Sequence, residues 1–261
     1  MIDYLAMGAR DRPLLLMLHG IGGSAECFTP QLQAFSGDFH AVAWNMPGYG
    51  ASPPLPSPSF TSLAAAVNSL LEELDASAAH IVGHSIGGMI AQQFVADYPG
   101  KTASLTLVAT SAAFGGRDGN FQKQFIADRL GPLDRGATMQ DLAASIIDSL
   151  TGEDPDPETI KLAYRSMAGV AEATYRANME LLVRFDLRKK LGDIRVPTLL
   201  IAGGRDTNAP PAVMEKMGSF IPGARYECIR SAGHLINLEQ PAAFNTLLRN
   251  FLQSVTGHIT G

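Results

Sequence analysis

Cysteine, tryptophan, charge and long apolar runs are all scarce in this chain of 261 residues, and each scarcity excludes something. The two cysteines, Cys27 and Cys228, lie far apart and build no disulfide framework, so a reducing compartment, the cytoplasm, is expected. Charged residues are only 17% of the chain, 25 acidic against 20 basic for a formal net charge of −5, where ~25% charged is usual. No Lys/Arg run longer than three residues is present, so the basic patch that nucleic-acid binding needs is not expected. The longest purely apolar run, Leu14–Leu18, falls well short of the ~20 residues that span a bilayer. Met1–Arg10 carries Asp3 early and has no apolar stretch of the kind a secretory signal requires. No Cys, His or Asp cluster has metal-ligand spacing, so no metal is expected. What is plentiful is apolar content, 46% of residues, in a chain long enough to hide roughly 70–75% of its unfolded surface. The composition therefore describes a globular protein with one large core, and a length prior of ~150 residues per domain allows one or two domains. Nothing in the pattern specifies an oligomeric state.

Apolar runs and helical stretches alternate in the first half. Leu14–Leu18, Phe39–Trp44, His80–Gly83 and Ser104–Ala109 read as buried strands, while Thr61–Leu74 and Ile86–Tyr98 carry apolar residues at helical spacing. The proline-rich stretch from Pro53 to Pro58 must be loop. This rhythm is that of a parallel sheet covered on both faces. It breaks after Ala112. Phe121–Leu130, Met139–Leu150, Pro157–Met167 and Ala171–Phe185 all read as helices, and no strand is expected until Val196–Ala202. A helix near Ala212–Phe220, a strand at Arg225–Ile229 and a helix from Pro241 to Leu252 complete the chain. The expected organisation is an α/β core of residues 1–111 and 193–261 interrupted by a helical insertion at 112–192.

Gly83-His84-Ser85-Ile86-Gly87 fits G-x-S-x-G between an expected strand and an expected helix. About 0.2 such matches arise by chance in a chain of this composition, so the context gives the motif its weight. Glycine two residues either side of Ser85 removes side chains that would clash in a sharp turn, and the helix that follows favours negative charge at its start. A serine needs a base, and His234, beside Gly233 just past a strand, is the candidate. His40, His80 and His258 lack that placement. Asp206, in Gly203-Gly204-Arg205-Asp206 beyond another strand, can hold the imidazole; alone it would read as a turn aspartate. The order Ser85, Asp206, His234, each past a separate strand, puts all three on one sheet edge.

His19-Gly20-Ile21-Gly22-Gly23 ends an earlier strand at that edge. Backbone N–H groups of Ile21 and Ile86 are the candidates to hold a carbonyl oxyanion, with His19 bracing the loop. The same loop fits the start of a dinucleotide-binding fingerprint, Gly20-x-Gly22-x-x-Ala25. That reading needs an acid at the end of the next strand, which instead ends in Trp44-Asn45, so no cofactor is expected.

Together these segments, with Asn45-Met46-Pro47-Gly48-Tyr49-Gly50, resemble the α/β-hydrolase family over nearly the whole chain. The resemblance implies an eight-stranded, mostly parallel sheet with helices on both faces and a helical cap inserted after strand 6. Serine at position 85 resembles the hydrolytic members rather than those with an elbow Asp, and the stretch from Gly233 to Pro241 is similar to that of 3-oxoadipate enol-lactonases. Asn45 departs from the Asp often found there. The implied activity is hydrolysis of a small-molecule ester or lactone through an acyl-enzyme. Two alternatives stay open: carbon–carbon hydrolysis of the meta-cleavage type, whose members often carry Trp where this chain has Leu235, and a binding protein with a vestigial triad. The expected pocket lining is Phe125, Ile147, Met179, Leu182 and Leu235, drawn from apolar residues that also include Ile126, Ile146, Leu150, Met167 and Phe185. Arg129, Arg165, Arg176 and Arg184 are candidates for holding a substrate carboxylate.

Overall fold

The computed structural model describes residues 1–115 and 119–257, which leaves His258 outside the described residues. Its strands are β1 (Tyr4–Met7), β2 (Leu14–Leu18), β3 (His40–Trp44), β4 (Ala79–His84), β5 (Thr102–Val108), β6 (Thr198–Gly203) and β7 (Arg225–Ile229). They form one sheet in the order β1-β3-β2-β4-β5-β6-β7, with every pair parallel except β1 against β3. The family resemblance implied eight strands with an insertion after the sixth. The described residues make seven, and the inserted helices follow the fifth. The segment before Leu14 supplies one strand, because Gly8 at φ 92° and Pro13 confine the residues between Met7 and Leu14 to a turn.

The strands read as continuous apolar runs because both faces are covered. Along β2, Leu14, Leu16 and Leu18 pack on one side of the sheet with Trp44, Ile81 and Phe94, while Leu15 and Met17 pack on the other with Phe28, Phe35 and Phe244. The first side carries α2 (Phe60–Glu73) and α3 (Ile86–Asp97); the second carries α1 (Thr29–Phe35) and α10 (Pro241–Thr256). Helix α2 begins where the proline-rich loop ends. Its Ser59 and Ser62 satisfy each other's backbone N–H groups in a capping box.

Between β5 and β6 lie α4 (Asn120–Asp134), α5 (Met139–Leu150), α6 (Pro157–Ala168) and α7 (Glu172–Leu182). A Thr138/Asp141 capping box starts α5, and Asp156 with Pro157 starts α6. Helix α4 runs past the expected end at Leu130 and through Pro132, because Leu133 on its next turn is buried. The chain's two crossings between sheet and insertion are joined: Phe114 N–H donates to Phe185 O (3.0 Å) and Leu187 N–H to Ala112 O (2.8 Å). After β6 come α8 (Pro211–Gly218) and, beyond β7, the short α9 (Ile236–Glu239) that leads into α10. No helix among the described residues is long and apolar enough to cross a membrane. Cys27 is buried and Cys228 exposed on β7, both as free thiols.

Candidate active site

The loops after β2, β4, β6 and β7 open on the same edge of the sheet, the edge at which parallel strands present their C-terminal ends. Ser85 follows β4 directly, at φ 55° and ψ −122°, a conformation a non-glycine residue holds at a cost of order 1–3 kcal/mol. Its neighbours overdetermine it. Ser85 N–H donates to Val108 O (2.9 Å), and Ser85 O accepts from Thr110 Oγ1 (2.7 Å) and Gly88 N–H (2.9 Å). The flanking glycines are required by contact as well as by turn geometry. A Cβ on Gly83 would sit 2.5 Å from Gly87 O, and one on Gly87 would sit 2.2 Å from Leu18 O.

Ser85 Oγ lies 3.1 Å from His234 Nε2, and His234 Nδ1 lies 2.8 Å from Asp206 Oδ2. Because the carboxylate only accepts, Nδ1–H donates to it and Nε2 is left to accept from the Ser85 hydroxyl. The two oxygens of Asp206 have separate partners: Oδ1 accepts the N–H groups of Asn208 (2.8 Å) and Ala209 (3.0 Å), leaving Oδ2 for the imidazole. The turn role and the histidine role are thus both filled. Burial of Asp206 pushes its carboxyl up, but His234 and these backbone donors outweigh burial and hold it below the usual carboxylate value.

Two other histidines brace the site in neutral form. His19 Nε2 accepts from Met46 N–H (3.0 Å), so its Nδ1–H donates to Gly20 O (2.8 Å); burial lowers its pKa to about 4. His84, adjacent to the serine, donates from Nε2 to the carbonyl of His234 (2.8 Å), and burial lowers it to about 3. Nothing in the sequence pattern singled out this contact, since its partner is 150 residues away. Asn45 is explained by its neighbour: its Nδ2 donates to Asp3 Oδ2 (2.7 Å) and its Oδ1 accepts from Ala25 N–H (2.9 Å). An Asp there would face the Asp3 carboxylate. Neither Ile21 N–H nor Ile86 N–H donates to a protein group among the described residues.

Ser85 and His234 open into a cavity of about 190 Å³. Of the expected lining residues, Phe125, Met179 and Leu182 border it. Ile147 and Leu235 do not; both border a smaller cavity of about 30 Å³ beneath the His19–Gly23 loop. The reason on α5 is helical phase. Ile146 and Leu150, four residues apart, share the face toward Ser85, whereas Ile147 is turned about 100° from Ile146. The lining also includes Met89, Phe114, Phe121 and Tyr175, which the sequence reading left out. Phe114 and Phe121 pack on Phe125 with ring centroids 4.7 and 6.3 Å away.

Among the four arginines considered for a substrate carboxylate, three are spoken for. Arg165 pairs with Glu26, Arg176 with Asp134 and Glu172, and Arg184 with Glu180. Arg129 alone of the four borders the cavity. It has no carboxylate partner among the described residues, stacks over Phe125 and donates weakly to Asn208 Oδ1 (3.4 Å).

A model of the family described as the alpha/beta hydrolase fold matches residues 13–241. The chain is 26% identical over 251 residues to 3-oxoadipate enol-lactonase 1 of Acinetobacter baylyi, covering 95% of this chain and 91% of that one. It is 29% identical over 243 residues to the pimeloyl-[acyl-carrier protein] methyl ester esterase of Neisseria meningitidis, covering 91% and 92% of the two chains. The crystal structure of a hydrolase from Pseudomonas aeruginosa superposes with a TM-score of 0.87 at 28% identity, over 96% of this chain and 94% of that one.

Proposed function

Because the chain belongs to the alpha/beta hydrolase fold family of enzymes, we propose that it is a serine hydrolase cleaving a carboxylic ester or lactone of a small molecule through an acyl-enzyme. The observation that carries this reading is the linked geometry of Ser85, His234 and Asp206 at the wall of one cavity. Ser85 Oγ attacks the carbonyl carbon as its proton passes to His234 Nε2, and Asp206 holds the imidazolium. The Ile21 and Ile86 N–H groups, free of protein partners among the described residues, receive the oxyanion. The carbon–oxygen bond breaks, and the leaving alkoxide takes the proton from His234. Water then attacks the acyl carbon, gives its proton to His234 and releases the acid as the proton returns to Ser85. In a lactone the leaving hydroxyl stays attached to the acid.

The names of the two relatives, an enol-lactonase and a methyl ester esterase, support this bond type. The apolar lining fits a compact hydrocarbon body, and unpaired Arg129 fits a carboxylate on the same substrate. We further propose residues 112–192 as the cap that gives the cavity its specificity, on a core of 1–111 and 193–261. The test is Ser85→Ala against p-nitrophenyl acetate and butyrate, with fluorophosphonate labelling of the unmodified protein. Loss of nearly all turnover, by on the order of 10⁴-fold or more, and labelling at Ser85 are expected. Retained turnover, or no label at Ser85, would sink the reading.

A further inference from the structure

Glu239, the last residue of α9, is a buried carboxylate that the proposed chemistry does not use, and no cation pairs with it among the described residues. Three backbone N–H groups satisfy it instead. Oε1 accepts from Leu235 (2.9 Å) and Gly233 (3.1 Å); Oε2 accepts from Gly233 (3.0 Å) and Gly152 (2.6 Å). Residues 233 and 235 flank His234, so the carboxylate grips the peptide on both sides of the histidine. Gly152 belongs to the linker between α5 and α6, in the inserted helices.

The linker and the histidine loop are joined twice more. His234 N–H donates to Leu150 O (2.7 Å), and Glu153 N–H donates to Ser231 O (3.1 Å). Where the two segments cross, glycine meets glycine. A Cβ on Gly152 would lie 2.1 Å from Ser231 O, and one on Gly233 would lie 2.5 Å from Gly152 N. Backbone thus packs on backbone with no room for a side chain on either strand of the crossing.

The geometry points to Glu239 as a positioning residue: its carboxylate fixes the backbone of His234 and clasps that loop to the α5–α6 linker, so that the general base and the roof of the cavity hold one arrangement. This rests on the serine-hydrolase reading above. The chemistry requires an acceptor at both oxygens. Charge-assisted N–H···O⁻ bonds are roughly twice as strong as neutral ones. A glutamine would offer one accepting oxygen and turn an NH2 donor toward an N–H, leaving at least one buried donor unpaired. Rotation of the imidazole off the Ser85 line by even about 1 Å is enough to slow acyl transfer ~10²-fold.

The test is Glu239→Gln, assayed with p-nitrophenyl butyrate and with active sites counted by fluorophosphonate titration. The expected result is a kcat per titrated site lower by on the order of 10- to 100-fold, with KM changed by less than about twofold. A variant that merely melts earlier, with kcat per site unchanged, overturns the proposal. Should the variant not fold, hydrogen exchange on the unmodified protein decides. Residues 150–153 and 231–235 are expected to be protected to the same degree, as one cooperative unit. Exchange of the linker at about 100-fold or more the rate of the histidine loop overturns the clasp. Failure of the unmodified protein to label at Ser85 would instead remove the hydrolase reading itself.

Discussion

At Arg129 the guanidinium carbon stands 5.3 Å from the Phe125 ring centroid, and among the described residues an Nη2 hydrogen reaches only the side-chain oxygen of Asn208. Asn208 N–H in turn donates to Asp206, so the cation lies on the Asp206 side of the cavity. An unpaired cation held against an aromatic face keeps its remaining donors for a ligand, and a single cation suits a monoanionic carboxylate. Replacing it as Arg129→Met should lower kcat/KM for an ester carrying a free carboxylate by about 10- to 100-fold, the range of one lost charge-assisted interaction. The neutral methyl-ester isostere should change by less than about twofold. Measuring both substrates on both proteins decides it: equal losses would mean that Arg129 acts only by supporting Asn208 and Asp206. Position 129 stood out in the sequence only as one arginine among four. Its distinction is that the other three meet carboxylates brought from elsewhere in the fold or one helical turn away.

Helix α5 shows how one element divides its labour. Ile146 and Ile147 are both buried and adjacent, yet Ile146 borders the Ser85 cavity and Ile147 the small one beneath the His19–Gly23 loop. The element predicts a split. Ile147→Ala should destabilise the fold by about 2–4 kcal/mol and leave KM unchanged, because the methylenes it loses pack against protein. Ile146→Ala should widen the substrate cavity and move KM and acyl-chain preference. Thermal melts together with Michaelis constants over acetate, butyrate and hexanoate esters test this, and identical behaviour of the two variants would refute the division. Apolar spacing made α5 legible from Met139 to Leu150, because a periodic stripe is a local signal. Which of two neighbouring isoleucines meets the cavity was not legible. The helix is buried on two sides, and its phase against the sheet is set by partners outside its own sequence.

At the scale of the whole molecule, burial lowers the pKa of three of the buried histidines among the described residues, His19 and His80 to about 4 and His84 to about 3, all chiefly by desolvation. Each binds its proton more weakly when folded than the ordinary 6.5, so as pH falls below 6.5 the unfolded chain takes up protons that the folded one refuses. Stability is therefore full above pH 6.5 and is lost toward pH 4, by roughly 3 kcal/mol for each histidine. Asp206, held below its ordinary value, adds loss in the same direction once the pH enters the carboxylate range. The urea midpoint should accordingly fall steeply from pH 6.5 to 4, and His80→Gln, remote from Ser85, should flatten that slope by about one proton. A midpoint independent of pH over that range would contradict it. By itself the sequence determined the alternation of buried strands and helices, the helical interruption that follows the strand at Ser104–Ala109, and the placement of Ser85, Asp206 and His234 each just past a strand. All of these are written in local composition, in turn residues and in spacing. Only the tertiary structure decided the seven-strand count, the phase of α5 against the cavity, the freedom of Arg129 and the grip of Glu239 on Gly152. Those depend on contacts between residues far apart in the chain, whose distances are set by how the layers pack.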